Sequence, residues 1–231
     1  MTKLILVPGL LCTKLLFEKQ ISSLHKQCEI EVANTLGINS ILEMAHGIIS
    51  KQKSNFVICG LSMGGYVAQM VAHLAPEKVL GMGLFSTSGR ADTTEKKQQR
   101  EALIELSKLG KFKGVTSRLL PSLLSAEALK KEALVRDVME MGIEVGQSNF
   151  TLQQEAIIGR PDFRPLAVAA KMPVEIVTGE LDQLTPPLLA EELHGLFDKS
   201  NLTVLPGIGH LCSMEAPDDV TNTIKKLISR V

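Results

Sequence analysis

Residues 56–70 read FVICGLSMGGYVAQM, an apolar run set directly against a glycine-rich turn and a helical pattern. Within the turn, Ser62 lies between Gly60 and Gly64 in the pattern G-x-S-x-G. The pattern alone is weak, because average glycine usage yields it by chance in roughly one chain in ten of this length. Its context is more specific, since a sharp strand-to-helix turn presents a serine side chain above the end of a sheet. The segment therefore predicts a strand, an exposed nucleophile and a helix.

The composition is that of a globular protein without an excess of charge. The chain has 231 residues, of which 45% are hydrophobic, and its formal net charge is zero. This length can bury a large core without disulfides or a metal, in one domain or in one domain with a large insertion. A neutral balance without a basic cluster argues against nucleic-acid and membrane-surface partners, and no segment approaches the roughly 18 apolar residues of a membrane span. We expect a small neutral or mixed ligand.

The four cysteines show no spacing typical of a zinc site or a disulfide framework. They lie far apart, at Cys12, Cys28, Cys59 and Cys212. We therefore expect reduced thiols in a cytoplasmic protein, with no metal and no cofactor. The apolar start of the chain resembles a short secretion signal, but a Pro-Gly pair interrupts it and no small-residue cleavage site follows. We interpret it as a strand and a turn.

Short apolar runs alternate with helical patterns along most of the chain, which predicts a doubly wound, mostly parallel sheet covered by helices. The predicted strands are residues 4–7, 29–33, 55–59, 79–85, 174–178 and 201–205. The predicted helices are residues 38–51, 63–74, 187–197 and 217–230, several of them with a proline near the start.

Residues 90–164 break this alternation with helical sequence such as EKKQQREALIELSKL and SAEALKKEALVRDVMEMGIEV. They contain no pattern of a buried strand, and their lysine and glutamate runs are typical of solvated helix faces. We predict a helical cap at 90–164, inserted into a core built from residues 1–89 and 165–231.

A serine hydroxyl becomes a good nucleophile only when a neighbouring base removes its proton. His210 is the best candidate, because it follows the strand 201–205 in a glycine-rich loop and so projects from the carboxyl edge of the sheet, as Ser62 does. The other histidines fall within helical patterns, where surface or packing roles are more common: His25, His46, His73 and His194.

A third group must hold the imidazole in the correct tautomer. Asp182 lies in the loop after the strand 174–178, again at the carboxyl edge, and Glu180 is the alternative two residues earlier. The chain order Ser62, Asp182, His210 is the order of the α/β-hydrolase arrangement. Three loop positions in this order are much harder to obtain by chance than one turn motif.

An acyl-transfer enzyme also needs donors for the oxyanion of its tetrahedral intermediate. One candidate is the backbone N–H of Met63, directly after the serine. The other is the N–H of Leu10 in the loop VPGLLCT, where Gly9 permits the turn after the first strand.

Five segments resemble the α/β-hydrolase fold superfamily, and the likeness runs nearly end to end. They are LVPGLL for the oxyanion loop, GLSMGG for the nucleophile elbow, GRPDFRP at the exit from the cap, TGELDQLTPP for the acid loop and GIGHLCSMEAP for the histidine loop. The chain is similar to the group that holds carboxylesterases, 3-oxoadipate enol-lactonases, cofactor-free perhydrolases and esterases of biotin synthesis. The resemblance implies the triad and the oxyanion donors named above, with a helical cap over the site.

The chain also departs from the pattern of this superfamily. Pro8 and Gly9 stand where many relatives have His-Gly, but the donor is a backbone amide in either case. The chain starts at the oxyanion strand, which implies six parallel strands without an opening antiparallel hairpin. Relatives that break carbon–halogen bonds or open epoxides carry an aspartate where this chain has Ser62, so those activities are not expected.

We therefore predict a serine hydrolase, most simply a carboxylesterase for small or medium acyl esters. Leu11, Phe85 and Met214 are candidates for the acyl pocket, although each is equally compatible with the core. Arg160 is a weaker pocket candidate, since a role in tying the cap to the core is favoured for it.

Two alternatives remain open from the sequence. One is a lactonase or carbon–carbon bond hydrolase on the same triad, where an acidic substrate would need a basic side chain such as Arg160 or Arg118. The other is a ligand-binding receptor or interaction protein that keeps the fold with little turnover.

Overall fold

The computed structural model of the protein describes residues 1–167 and 170–231, apart from the side chain of Lys111. Its strands are β1 (Thr2–Val7), β2 (Cys28–Val32), β3 (Phe56–Leu61), β4 (Val79–Phe85), β5 (Val174–Gly179) and β6 (Ser200–Leu205). They form one sheet in the order β2-β1-β3-β4-β5-β6, and every neighbouring pair is parallel. The predicted six-stranded parallel sheet is thus confirmed.

Helices cover both faces of this sheet. They are α1 (Glu18–Leu24), α2 (Ile41–Lys51), α3 (Met63–Leu74), α4 (Thr94–Leu106), α5 (Leu120–Leu123), α6 (Glu132–Ile158), α7 (Arg164–Ala167), α8 (Pro187–Leu196), α9 (Cys212–Glu215) and α10 (Pro217–Ile228). Within the described residues, none is long and apolar enough to cross a membrane.

The alternation of side chains along each strand divides the core into two layers. On β1, Ile5 and Val7 pack into the layer beneath α2, α3 and α8. Leu4 and Leu6 point the other way, into the layer that also contains apolar residues of α6 and α10. A strand buried on both faces has a continuous apolar run in its sequence, which is why β1 and β3 could be predicted.

The helices differ from the prediction mainly at one boundary and by two additional short elements. The helix predicted at 38–51 begins at Ile41, because the Ser40 hydroxyl accepts a hydrogen bond from the N–H of Glu43 and caps the first turn. The single-turn helix Lys14–Phe17 and α1 were not predicted. Their short apolar pattern does not extend over enough turns to give a helical period.

Residues 90–164 lie between β4 and β5 and are called the insertion from here on. They carry α4, α5 and α6, and no strand occurs among their described residues. α6 runs for 27 residues but is bent at Gly146, whose φ of 76° is open to glycine. Apolar residues of the insertion pack into the same layer as Leu11 of the β1 loop.

The strand order reverses between β1 and β3, so the chain leaves these neighbouring strands towards opposite sides. In open parallel sheets, such a switch point forms a crevice at the carboxyl ends of the strands, and ligands bind there. The loop after β1 and the turn after β3, which carries Ser62, both open into this crevice.

Close backbone contacts hold this crevice together. A Cβ atom on Gly64 would lie 1.9 Å from the carbonyl oxygen of Val7, and one on Gly60 would lie 2.1 Å from the carbonyl oxygen of Gly64. No side chain fits at either position, so the first turn of α3 rests directly on the end of β1.

Gly64→Ala should therefore destabilise the fold strongly, by about 1–3 kcal/mol or more, because the methyl group meets rigid backbone. Gly47→Ala is the matched control: Gly47 lies inside α2, and a methyl group there would have no atom within 4 Å, so alanine should stabilise by about 0.5–1 kcal/mol. Denaturant unfolding of both variants measures the contrast. Equal stability of the two would contradict the close contact at β1.

Candidate active site

Ser62 occupies a strained backbone position at the turn between β3 and α3. Its φ is 56° and its ψ is −115°, in a region that non-glycine residues adopt only where the surroundings enforce it. Three hydrogen bonds hold this conformation. The Ser62 N–H donates to the Phe85 carbonyl at 2.9 Å, and the Ser62 carbonyl accepts from the Thr87 hydroxyl at 2.8 Å and from the Gly65 N–H at 2.9 Å. The half-buried side chain is thereby held at the carboxyl edge of the sheet.

Asp182 and His210 form a buried pair at the same edge. Nδ1 of His210 lies 2.9 Å from Oδ2 and 3.0 Å from Oδ1 of Asp182, and both residues are 3% exposed. Asp182 follows β5, and His210 follows β6, the next strand of the sheet. Two loops that are distant in the sequence thus meet because parallel strands end at one edge.

The carboxylate of Asp182 is held by three further hydrogen bonds. The N–H groups of Leu184 and Thr185 donate to Oδ1, each at 2.9 Å, and the Thr185 hydroxyl donates to Oδ2 at 2.8 Å. Burial alone would raise the pKa of Asp182, but the hydrogen bonds and charge of His210, with those from Thr185, outweigh it and lower the pKa. Asp182 is therefore ionised and oriented at neutral pH.

Two polar groups of the candidate site make no hydrogen bond within the described residues. Among the hydrogen bonds of the described residues, none involves Nε2 of His210 or the hydroxyl of Ser62. Because Asp182 occupies Nδ1, Nε2 is the nitrogen left to receive a proton. Catalytic hydrogen bonds are often long in an unliganded enzyme and tighten when substrate binds.

The loop after β1 lies against Ser62. A Cβ atom on Gly9 would lie 3.5 Å from the Cβ of Ser62. Leu11 adopts a φ of 58°, and its N–H donates to the side-chain oxygen of Gln153 at 3.0 Å. In the described part of the chain, no group accepts a hydrogen bond from the N–H of Leu10 or of Met63, so both backbone donors are free.

Cys12 in the loop after β1 and Cys212 in the histidine loop are not competing nucleophiles. The Cys12 thiol donates to the Leu10 carbonyl at 3.4 Å, and Cys212 accepts from the Ser86 hydroxyl at 3.5 Å. Burial raises the pKa of each thiol to about 12, so both remain protonated at neutral pH.

The predicted pocket residues differ in their surroundings. Phe85 is fully buried in the apolar layer that includes α10, which favours a core role for it. Leu11 packs in the same layer with 7% of its surface exposed, and Met214 is partly buried against it. For Leu11 and Met214, a pocket role remains a prediction.

Each nitrogen of the Arg160 guanidinium donates a hydrogen bond to another group of the protein. The guanidinium donates to Asp92 at 2.9 Å and to the carbonyl groups of Arg90 and Ile157 at 3.1 and 2.9 Å, and it lies 4.2 Å from the centre of the Tyr66 ring. Tyr66 belongs to α3, the helix that begins directly after Ser62. Arg90, Asp92 and Ile157 all lie in the insertion, so of these four contacts the one with Tyr66 joins the insertion to the core. A guanidinium held in this way favours a structural role over a contact with a substrate carboxylate.

A buried ion cluster forms around Asp92, which accepts hydrogen bonds from Arg160 and, at 2.6 Å, from Arg100. Burial would raise the pKa of Asp92, but the hydrogen bonds and charges of the two arginines outweigh it and lower the pKa. In the unfolded chain the Asp92 carboxylate has its ordinary pKa of about 3.9. It therefore takes up a proton at a higher pH in the unfolded chain than in the folded protein. The stabilisation by this cluster is complete above that value and is lost as the pH falls through the lower, folded value.

Asp92→Asn should cost about 3–5 kcal/mol of unfolding free energy at pH 7, because it leaves Arg160 buried without its counter-ion. The difference from wild type should stay constant down to about pH 5 and shrink below about pH 4. Denaturant unfolding over this pH range is the measurement. Asp162→Asn, which removes a half-exposed partner of Arg164, should change stability little; a similar loss in both variants would argue against the buried cluster.

Sequence reasoning missed two polar side chains that hold the site. Thr185 follows Asp182 by three residues, and a hydroxyl at this spacing is a recognisable local signal for a bond back to the carboxylate. Gln153 lies 142 residues from Leu11 in the chain, and no local pattern marks it.

The chain belongs to the alpha/beta hydrolase family, whose sequence model matches residues 31–223. Over 217 residues it is 23% identical to a pimeloyl-acyl-carrier-protein methyl ester esterase of Photobacterium profundum, covering 85% of this chain and 79% of that protein. The resemblance predicted from the five segments is confirmed at the level of the family.

Solved structures show the same fold. A thermophilic esterase from Thermogutta terrifontis superposes with a TM-score of 0.89 at 22% identity, covering 99% of this chain and 90% of that one. An enol-lactonase from Burkholderia xenovorans superposes with a TM-score of 0.88 at 19% identity, covering 99% and 92%. At these identities the likeness establishes a common architecture.

Proposed function

We propose that the protein is a serine carboxylesterase for small or medium acyl esters. The observation that carries the proposal is the buried Asp182–His210 pair, with Nδ1 and Oδ2 at 2.9 Å, at the sheet edge where the strained Ser62 is presented. The esterases and the enol-lactonase among its relatives support a carbonyl substrate.

In the proposed reaction, the Ser62 hydroxyl attacks the carbonyl carbon of the ester while Nε2 of His210 takes its proton. The tetrahedral oxyanion accepts hydrogen bonds from the free N–H groups of Leu10 and Met63. Collapse of the intermediate breaks the ester bond, and the imidazolium gives its proton to the departing alcohol. His210 then deprotonates a water molecule that attacks the acyl-enzyme, and collapse of the second tetrahedral intermediate releases the acid while the imidazolium returns its proton to the Ser62 oxygen. Asp182 accepts a hydrogen bond from Nδ1–H throughout and stabilises the imidazolium.

The surroundings of the site support an uncharged acyl group. Leu11 and Met214 offer apolar surface beside the β1 loop and the histidine loop, and we propose that the insertion acts as a cap above them. An acidic lactone would need a cation facing the pocket. Each nitrogen of the Arg160 guanidinium already donates within the protein, and Arg118 is exposed on the insertion. The four unpaired, buried cysteines support a reducing setting such as the cytoplasm.

Hydrolysis of p-nitrophenyl esters of increasing acyl length tests this function. The wild-type protein should turn over at least the shorter esters, and Ser62→Ala should lose that turnover, because the proposed acyl-enzyme forms on the Ser62 hydroxyl. Aliphatic lactones in the same panel separate an esterase from a lactonase. An ester rate that survives in Ser62→Ala would contradict the serine mechanism, and wild type without turnover on any ester or lactone would favour a binding role.

Asp182→Asn should lower kcat by up to about ten-thousandfold with the fold intact. The asparagine oxygen can still accept from Leu184 and Thr185, but its amide group donates to Nδ1 of His210 and so imposes the wrong tautomer. Glu180→Gln is the matched control, since Glu180 is exposed and bonds the Gly207 N–H instead. The measurements are the steady-state kinetics and the melting temperatures of both variants. A larger loss of kcat in Glu180→Gln than in Asp182→Asn would identify Glu180 as the acid that orients His210.

A further inference from the structure

A second buried carboxyl group lies close to the Asp182–His210 pair and has no part in the proposed reaction. It belongs to Glu215, at the end of α9, which is 7% exposed. Among the side chains that the structure describes, no lysine, arginine or histidine pairs with it. A buried carboxyl group without a cationic partner is costly unless hydrogen bonds satisfy both oxygens, so its partners indicate what it does.

Both partners of Glu215 are backbone amides, and they come from different parts of the molecule. Oε1 accepts from the N–H of Gly209 at 3.1 Å, and Oε2 accepts from the N–H of Ser125 at 3.0 Å. Gly209 immediately precedes His210, whereas Ser125 belongs to the insertion. One side chain thus joins the histidine loop to the insertion.

The same part of the insertion contacts the histidine loop a second time. The carbonyl oxygen of Leu123 accepts hydrogen bonds from the N–H groups of His210 and Leu211, at 3.0 and 3.2 Å. The backbone of His210 therefore lies between two fixed points, the Leu123 carbonyl and the amide held by Glu215.

Steric contacts leave the loop little freedom around Gly209. A Cβ atom there would lie 2.8 Å from Oε1 of Glu215 and 2.8 Å from the nitrogen of Ser125. On the opposite side, a Cβ atom on Gly179 would lie 2.2 Å from the carbonyl oxygen of Gly209. The backbone before His210 is thus enclosed between the end of β5 and the insertion, with Glu215 as the polar contact.

We propose that Glu215 is a positioning residue for His210. By fixing Gly209 against Ser125, its carboxyl group sets where the His210 backbone leaves the loop, and so whether Nδ1 reaches Asp182 while Nε2 faces Ser62. The inference rests on the proposed serine mechanism. It also means that the insertion contributes to the alignment of the base, in addition to covering the site.

Glu215→Gln should lower kcat by about ten- to hundredfold, the loss expected when a reacting group is displaced by a fraction of an ångström to an ångström, while KM changes less than about threefold. The amide has only one oxygen, and its NH2 group would face a backbone N–H donor. Glu215→Asp keeps the carboxyl group but is one methylene shorter, so it cannot reach both amides, and it should show the same split between kcat and KM.

Glu175→Gln is the matched control. Glu175 is a 1% exposed carboxylate near the start of β5, at the opposite end of the strand from Asp182, and it binds Arg230 and Asn201. Its substitution should lower the melting temperature and leave kcat per folded molecule unchanged. A wild-type kcat in Glu215→Gln and Glu215→Asp, or an equal loss of kcat in Glu175→Gln, would overturn the positioning role.

A readout independent of turnover separates this inference from the proposed function. The far-downfield proton resonance of Nδ1–H between His210 and Asp182, assigned by its loss in Asp182→Asn, should shift or broaden in both Glu215 variants and remain in Glu175→Gln. If wild type shows no Ser62-dependent turnover, the proposed function is wrong, and the positioning role is then judged from this resonance. An Nδ1–H chemical shift and line width that Glu215→Gln leaves unchanged would overturn the positioning role.

Discussion

The contact between bare backbone atoms at the end of β1 and the first turn of α3 fixes the geometry of the whole crevice. Because Gly64 leaves no space above the Val7 carbonyl, α3 begins directly beside β1, and the residue that connects β3 to it must turn sharply. That residue is Ser62, and its positive φ is the result. The close approach of α3 to β1 also brings Gly9, in the loop after β1, next to the side chain of Ser62. The free N–H of Leu10 belongs to the same loop.

Hydrogen bonding in the site follows a simple division. Groups that must stay still are fully bonded: Asp182 accepts from two amides, a hydroxyl and an imidazole, and the backbone of Ser62 is bonded at both its N–H and its carbonyl. The groups that would meet a substrate in the proposed reaction make no hydrogen bond within the described part of the chain: Nε2 of His210 and the N–H groups of Leu10 and Met63. A donor without an internal partner costs free energy unless another group accepts from it, so the two open N–H groups support the oxyanion site proposed above.

The sequence was informative wherever the physical cause is local. Parallel strands buried on two faces, glycines at a turn and a proline at a helix start all act over a few residues, and they allowed the sheet and the candidate triad loops to be predicted. The contacts that support the site act over long separations: 68 residues from Arg160 to Asp92, 90 from Glu215 to Ser125 and 142 from Gln153 to Leu11. No periodicity or spacing rule reaches so far. Phe85 shows a second limit, since an apolar residue at a strand end fits a pocket or a core equally well until its neighbours are known.

The placement of the Asp182–His210 pair has a consequence for the order in which the site can form. Its two members follow β5 and β6, whereas Ser62 follows β3, and the whole insertion is synthesised between them. A ribosome-bound chain that has completed β1 to β4 already contains the elbow, but it has neither acid nor base beside it. By the proposed mechanism, the nascent polypeptide would therefore have no esterase activity until β6 docks at the edge of the sheet.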